Sequence, residues 1–324
     1  MSSRQGVART SAPQSTRSYT SRMKKAPMKV FLTGTTGYLG SAIAKQLLAN
    51  GHEVLGHVRT SEAADRVSSL GIVPRLGDVL DDVWLRGELT DVDGAVHAAS
   101  PNDTGSAAFD GRILDTVLDV FAGTDQRYVH TGGSWIHGSG RRLNEASPYA
   151  PPVIVAWRPA VLDRIRVAAS TVHATMVAPA NLYGHGGGLV ALLANAPTEN
   201  GQLRYPGSAQ AFPNVHVDDA AALFVHVLEH DAPGPYVIAA NTESVPMDTL
   251  ARALSDAQGL AGQIHGDSPE EARHRLGPLA DPLLLNASID SSAARALGWA
   301  PNGPTLIDEI RSGSYMPRSF PLEP

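Results

Sequence analysis

The chain has 324 residues, 43% of them hydrophobic and 18% charged, an ordinary composition for one large folded domain or a large domain with a smaller partner. No window reaches the roughly 18 apolar residues of a membrane-spanning helix, and the absence of cysteine excludes disulfides, thiolate nucleophiles and thiolate metal sites. The formal charge of −6 hides a basic start: Arg4, Arg9, Arg17, Arg22, Lys24 and Lys25 stand without an acid in residues 1–27, leaving −12 on the rest, a poor match for nucleic-acid phosphates.

Residues 1–27 read as a disordered basic extension or an over-called start, because Met28 directly precedes the first apolar run. Their Ser, Thr and Arg content also suits an organelle transit peptide, whereas the missing apolar stretch does not suit a secretory signal. From Met28 onward, "KVFLTG" predicts a strand and "SAIAKQLLANG" a helix stopped by Gly51. "HEVLGHVR" predicts a second strand and "SEAADRVSSLG" a helix opening at Ser61. "IVPRLGD" and "GAVHAAS" follow as strands three and four, with a short helix near 81–89 between them. An amphipathic helix over 110–122 and a fifth strand in "RYVHTGGSWIHG" complete the alternation. Strand and helix alternating at this interval predict an α/β fold, a doubly wound parallel sheet of Rossmann type over residues 28–185. Residues 186–324 read as a smaller substrate lobe, partly discontinuous, in which "VHVDDAAALFVHVLEH" and "GPYVIAAN" supply a strand, a helix and a further strand. Helices are expected at 246–260 and 268–276.

"VFLTGTTGYLGSA" places Gly34, Gly37 and Gly40 between an apolar strand and a helix. Gly34 permits a tight turn, Gly37 a close approach of backbone to a pyrophosphate, and Gly40 close packing behind it. The helix N-terminus then faces the anion. A glycine turn without a ligand is the plainer reading, but the order strand, glycines, helix, strand favours a dinucleotide held by Gly34, Thr36, Gly37, Tyr38, Leu39 and Gly40. The second strand ends at Arg59, nineteen residues past Gly40, where an NAD site places an acid. The planar cation of Arg59 suits a 2′-phosphate, so NADP is expected over NAD.

The G-x-x-G-x-x-G spacing, with Thr33 before it, resembles the extended and atypical short-chain dehydrogenase/reductase superfamily, including its epimerase/dehydratase group. "LGD" with Asp78 and Val79 is similar to that family's adenine-binding position, and "HAAS", with Ala98 and Ala99, to its fourth-strand cofactor loop. "APANLYG", with Pro179, Asn181 and Leu182, resembles the nicotinamide-side segment, "VHVDDAA" the motif that crosses between lobes, and "LGWAP" a C-terminal tail of atypical members.

The resemblance implies a catalytic tyrosine with a lysine four residues later, a cation that a phenol of pKa near 10 requires. The only lysines are Lys24, Lys25, Lys29 and Lys45, and no tyrosine is followed at that spacing by one, so the dyad is absent. The family register sets Trp157 near the tyrosine and Val161 near the lysine. Arg158 is the replacement cation, with a solvated helix-start arginine as the plain alternative. The serine or threonine that binds the substrate oxygen falls on Gly133, which leaves Ser134 or Thr131 to take that part.

His97, His130, His137 and His216 read first as packed structural histidines. If one carries a proton, His137 or His130 is expected. "HEVLGH" has its histidines five apart on a strand, so it is not a helical zinc motif, and no metal site is expected. Asp218 and Asp219 are expected to cap the helix that follows them. Arg204, Tyr205 and Phe212 suggest a small-molecule pocket in the second lobe. Three functions stay open: an NADP-dependent oxidoreductase or epimerase with a rebuilt proton relay, a non-redox isomerase, cyclase or lyase, and a catalytically silent nucleotide sensor. The expected partner is a small molecule rather than nucleic acid or membrane, in a cytoplasmic protein, with a homodimer left open.

Overall fold

The computed structural model describes residues 26–316 except 197, 231 and 233. The basic stretch singled out at the N-terminus therefore lies almost wholly outside the described residues. Seven strands form one parallel sheet: β1 (Lys29–Thr33), β2 (Glu53–Val58), β3 (Val73–Leu76), β4 (Gly94–His97), β5 (Arg127–Thr131), β6 (His173–Pro179) and β7 (Tyr236–Ala239). Their order is β7-β6-β5-β4-β1-β2-β3, with parallel pairing throughout. Helices α1 (Tyr38–Ala49), α2 (Ser61–Ser68), α3 (Asp82–Thr90), α4 (Ser106–Val120), α5 (Arg158–Ala168) and α6 (Val217–Glu229) flank it.

The sequence explains this layering. Strand β4, in the middle of the sheet, is buried at every position, and so is the edge strand β7, as strands covered on both faces require. By contrast β3 is half-exposed and carries Pro74, which only an edge strand tolerates. Helix α1 ends where Gly51 adopts φ +90°, the left-handed conformation that closes many helices. Thr60 caps α2 by accepting from the Ala63 amide, and Asp81 caps α3 through the amides of Val83 and Trp84. Helix α4 starts at Ser106, four residues earlier than its periodicity indicated.

The chain crosses at the junction of β1 and β4, where the order turns back, and this opens a cleft at the carboxyl ends of the strands. The boundary drawn at residue 185 divides the chain in order but not in space. Both α6 and β7 return to the first layer, where β7 pairs with β6 at the sheet's edge. The second lobe has its own core, built around Leu203, Tyr205, Leu250, Leu254, Leu306 and Ile310. Its small sheet aligns Gln202–Pro206 with Ile264–Asp267. A short parallel pair, Asn181–Tyr183 with Asn214–His216, joins the two layers directly above the cleft. Among the described residues, no helix is long and apolar enough to cross a membrane.

Candidate functional site

The first part of the cleft is the glycine loop between β1 and α1. Gly34 has φ +73°, and a Cβ there would collide with the backbone of Ala98 and Ala99. A Cβ on Gly40 would overlap the Gly34 carbonyl, so the helix can seat against the loop only as glycine. Gly37 is the exposed N-cap of α1 and brings no side-chain cap. The first amides of a helix lack intrahelical acceptors, so those of Tyr38, Leu39 and Gly40 are free to meet an anion. Thr36 is exposed beside them. The Tyr38 ring does not line this anion cradle. It packs on Gly187 and donates its hydroxyl to the Gly184 carbonyl at 2.7 Å, tying the loop to the second lobe.

These features fit a dinucleotide: a cradle too tight for side chains, and an uncapped helix start behind it. Around it, Arg59 stands exposed at the end of β2 and Asp78 is exposed after β3, while Val79 is buried. The Asp78 carboxylate already accepts from the Leu80 amide at 2.9 Å. Ala98 and Ala99 are half-buried at the end of β4, with the Ala98 amide donating to Thr33 Oγ1.

Behind the loop lies a buried polar chain centred on Asp110, a residue not singled out from the sequence. Asp110, on the inner face of α4, sits 3.3 Å from His97 Nε2 through one oxygen and 3.3 Å from His130 Nε2 through the other. His97 Nδ1 meets Thr33 Oγ1 at 2.8 Å, and His130 Nδ1 meets the Tyr128 hydroxyl at 2.8 Å. With the hydroxyls of Thr33 and Tyr128 donating to the Nδ1 atoms, His97 Nε2 donates to Asp110, whereas His130 Nε2 lies near the second carboxylate oxygen but makes no hydrogen bond to a described residue. Burial pushes His130 down to about 4. Burial opposes ionisation of Asp110, yet its two histidine partners hold its carboxyl well below the usual range. The signal for Asp110 was present in the sequence, since it falls on the stripe of Ser106, Ile113, Leu114 and Val117 that α4 buries.

The end of β5 is where the sequence reading placed the substrate-facing residues. The Thr131 hydroxyl donates to the His97 carbonyl at 2.6 Å, which locks β5 to β4. Gly132 is packed, because a Cβ would meet the Met176 sulfur at 2.7 Å. Gly133 is different: its backbone is extended and a Cβ there would touch nothing within 4 Å. The family's missing hydroxyl has therefore left open space. Ser134 is buried at the start of a short 3₁₀ turn, and its hydroxyl makes no hydrogen bond to a described residue. It lines a narrow cavity shared with Trp135, Asn181 and the second lobe.

Arg158 begins α5 and reaches across to the Thr131 carbonyl with Nη1 at 3.0 Å. Its guanidinium lies 4.7 Å from the Trp157 ring centroid. Burial makes the Arg158 charge harder to hold and the nearby Asp110 supports it. Arginine nonetheless remains protonated in proteins, so a cation stands beside the last residue of β5. Val161 is buried in the main core.

Other residues are spoken for. His137 is buried, with Nδ1 at 3.2 Å from the Pro148 carbonyl and Nε2 at 3.0 Å from the Tyr236 hydroxyl, so both nitrogens are occupied inside the fold. Pro179 is buried. Asn181 uses its amide nitrogen on the Pro213 carbonyl and its oxygen on Trp135 Nε1, which makes it a strut under the cavity, while Leu182 stays half-exposed. The cap of α6 differs from expectation: the His216 imidazole accepts from the Asp218 amide. Asp219 instead accepts from the Asn302 and Gly303 amides and so pins the C-terminal segment. Asp218 pairs with His185 at 2.8 Å, and with His216 they bring their ligand atoms within 4.8 Å of one another. Arg204 and Tyr205 do not line the cavity. Arg204 is paired with Asp267 and Tyr205 belongs to the lobe's core, so only Phe212 of that trio reaches it.

Residues 30–239 match the NAD dependent epimerase/dehydratase family, and the chain belongs to that family. An uncharacterized protein of Schizosaccharomyces pombe is 28% identical over 89% of this chain and 100% of its own length. A 4-hydroxy-2-methyl-3-oxo-4-farnesyl-3,4-dihydroquinoline-1-oxide ketoreductase of Stigmatella aurantiaca is 32% identical over 38% of this chain and 39% of its own. The UDP-glucose 4-epimerase of Thermotoga maritima, solved with UDP-glucose, superposes with a TM-score of 0.70 over 89% of this chain and 97% of that one. At 16% identity this likeness speaks for the fold alone.

Proposed function

We propose that the chain is an NADP-dependent oxidoreductase acting on a small carbonyl or hydroxyl compound without a Tyr–Lys dyad. One observation carries the reading. The glycine loop has the form of a dinucleotide cradle, and after β5 the chain holds a fixed cation, Arg158 on the Thr131 carbonyl, and, three residues past Thr131, a hydroxyl without a described partner, Ser134. The ketoreductase relative supports redox chemistry over isomerisation, and the exposed cation of Arg59 supports a 2′-phosphate.

A nicotinamide held by the Gly34–Gly40 loop would supply the hydride for carbonyl reduction. Ser134 donates a hydrogen bond to the carbonyl oxygen, and Arg158 stabilises the negative charge that grows there as the C=O pair moves onto oxygen. No lowered phenol pKa is needed, because the proton that completes the alcohol comes from water admitted through the space beside Gly133. Arg158 is not the acid. It holds charge while solvent delivers the proton.

The test is titration with NADPH and NADH, followed by loss of absorbance at 340 nm over a panel of aldehydes and ketones. The reading expects saturable NADPH binding and carbonyl-dependent oxidation of the nucleotide. Binding with no turnover would replace it with a silent nucleotide sensor, and no binding of either nucleotide would end it.

A further inference from the structure

We propose that His185, His216 and Asp218 form a site for one divalent transition-metal cation of the zinc class, beside the loop that Tyr38 holds. The site does not depend on the nucleotide or carbonyl chemistry above. Its residues come from two separate segments, and the short parallel pair that joins the two layers brings them together. Tyr183 of one strand stands in register with His216 of the other. His185 follows Tyr183 by two residues, and Asp218 follows His216 by two, in the first turn of α6.

The donors are two imidazoles and one carboxylate, a nitrogen and oxygen set that zinc takes and that magnesium, which prefers oxygen alone, does not. Asp218 Oδ2 lies 2.8 Å from His185 Nε2 and 4.0 Å from His216 Nδ1. A tetrahedral zinc with bonds of about 2.0–2.2 Å sets its ligands roughly 3.3–3.6 Å apart. The His185 and Asp218 side chains are 55% and 42% exposed, so rotation about their own bonds can close the difference. The buried His216 is the fixed member. Its Nδ1 accepts from the Asp218 amide at 3.2 Å. A cation on that nitrogen would release this amide, one of the first-turn N–H groups for which a helix has no internal acceptor.

The backbone supplies an independent sign. His185 holds φ +50° between Gly184 at +109° and Gly186 at +70°, a left-handed run that costs a residue with a side chain. Neighbours enforce it: the Gly184 carbonyl accepts from Tyr38, the Gly184 amide donates to the Tyr315 hydroxyl, and the Gly186 amide donates to Ser314. The His185 ring is thereby brought to 5.4 Å from the His216 ring, centroid to centroid. Of the charges nearby, the buried Glu309 acts on His216 and favours a cation, whereas Lys45, along the adjoining groove, opposes one. A cation bound here would tie the 184–188 loop to the start of α6 and so stabilise the fold.

The experiment uses the full chain, treated with EDTA, dialysed, and titrated calorimetrically with zinc chloride and, separately, magnesium chloride. The expected result is one zinc ion bound with a dissociation constant of about 10 μM or tighter. Saturating zinc should raise the melting midpoint by about 3 °C or more, and magnesium should do neither. His185→Ala and Asp218→Asn change half-exposed side chains, and each should weaken zinc at least tenfold while leaving the metal-free melting curve in place. His230→Ala, which breaks the stacked His226–His230 pair elsewhere on the chain, should leave zinc affinity within twofold. Zinc binding that survives His185→Ala, or that is lost in His230→Ala instead, would overturn the inference. No zinc bound up to about 1 mM, or magnesium bound as tightly as zinc, would overturn it as well.

Discussion

Arg158 Nη1 donates to the carbonyl oxygen of Thr131 at 3.0 Å, so the first residue of α5 is anchored to the last residue of β5. This contact fixes a cation by backbone geometry rather than by a flexible lysine stem. It also spends only one of five N–H donors, and the others make no hydrogen bond to a described residue.

The glycine loop gives the sharpest steric prediction. Gly34→Ala must place a Cβ into the Ala98 carbonyl at φ +73°, and Gly40→Ala must push α1 off the loop. Each should weaken NADPH binding by a factor on the order of 10 to 100, about 1.4–2.8 kcal/mol, in calorimetric titration. An unchanged dissociation constant in either variant would mean that the loop does not hold the nucleotide.

The two glycines after β5 should behave oppositely. Gly133→Ser enters open space on extended backbone and should leave stability within about 0.5 kcal/mol. Gly132→Ala must displace Met176 and should cost about 1–3 kcal/mol, the usual range for overpacking. Urea unfolding of both variants checks this pair, and equal losses would contradict the packing described.

The proposed reading assigns the nucleotide preference to Arg59. Arg59→Ala should weaken NADPH about tenfold or more, the worth of a charge-assisted contact of about 1.5–3 kcal/mol, while leaving NADH nearly unchanged. Equal weakening of both nucleotides would show that Arg59 does not meet the 2′-phosphate.

The buried chain around Asp110 predicts an acid-sensitive fold. His130 titrates near 4 in the folded chain against an ordinary 6.5, with burial as the main cause. Between those values the unfolded chain binds more protons than the folded one. Stability is therefore complete above pH 6.5 and falls as the pH drops toward 4, by at most about 1.4 kcal/mol per unit for this one group. Asp110→Ala should cost about 1–3 kcal/mol for the His97 N–H left without its partner. Thermal melts of both chains from pH 4 to 7 measure the two effects, and a flat wild-type profile would contradict the assignment.

Some of this was legible in the sequence and some was not, for identifiable reasons. The Gly34–Gly40 loop is local, so strand, turn and helix start could be read from thirteen consecutive residues. The seventh strand was also visible as an apolar run, but its place beside β6 depends on a crossover through α6 that no local pattern encodes. Asp218 and Asp219 have the chemistry of N-caps, yet His216 takes that place because Asp219 is drawn to the amides of residues 302 and 303, far along the chain. His137 stands close in sequence to the end of β5, but the 3₁₀ turn after Gly133 buries it against Tyr236. The absent lysine was countable, but that Arg158 reaches the Thr131 carbonyl depends on where its side chain points.

The most direct test of the account is the Arg158 series at saturating NADPH with an accepted carbonyl substrate. Arg158→Met should retain fold and nucleotide binding but lose about 10²–10³-fold in kcat, the worth of a preorganised charge at a developing oxyanion, with partial recovery in Arg158→Lys. A methionine variant with wild-type turnover would show that the cation anchored on Thr131 takes no part in the chemistry.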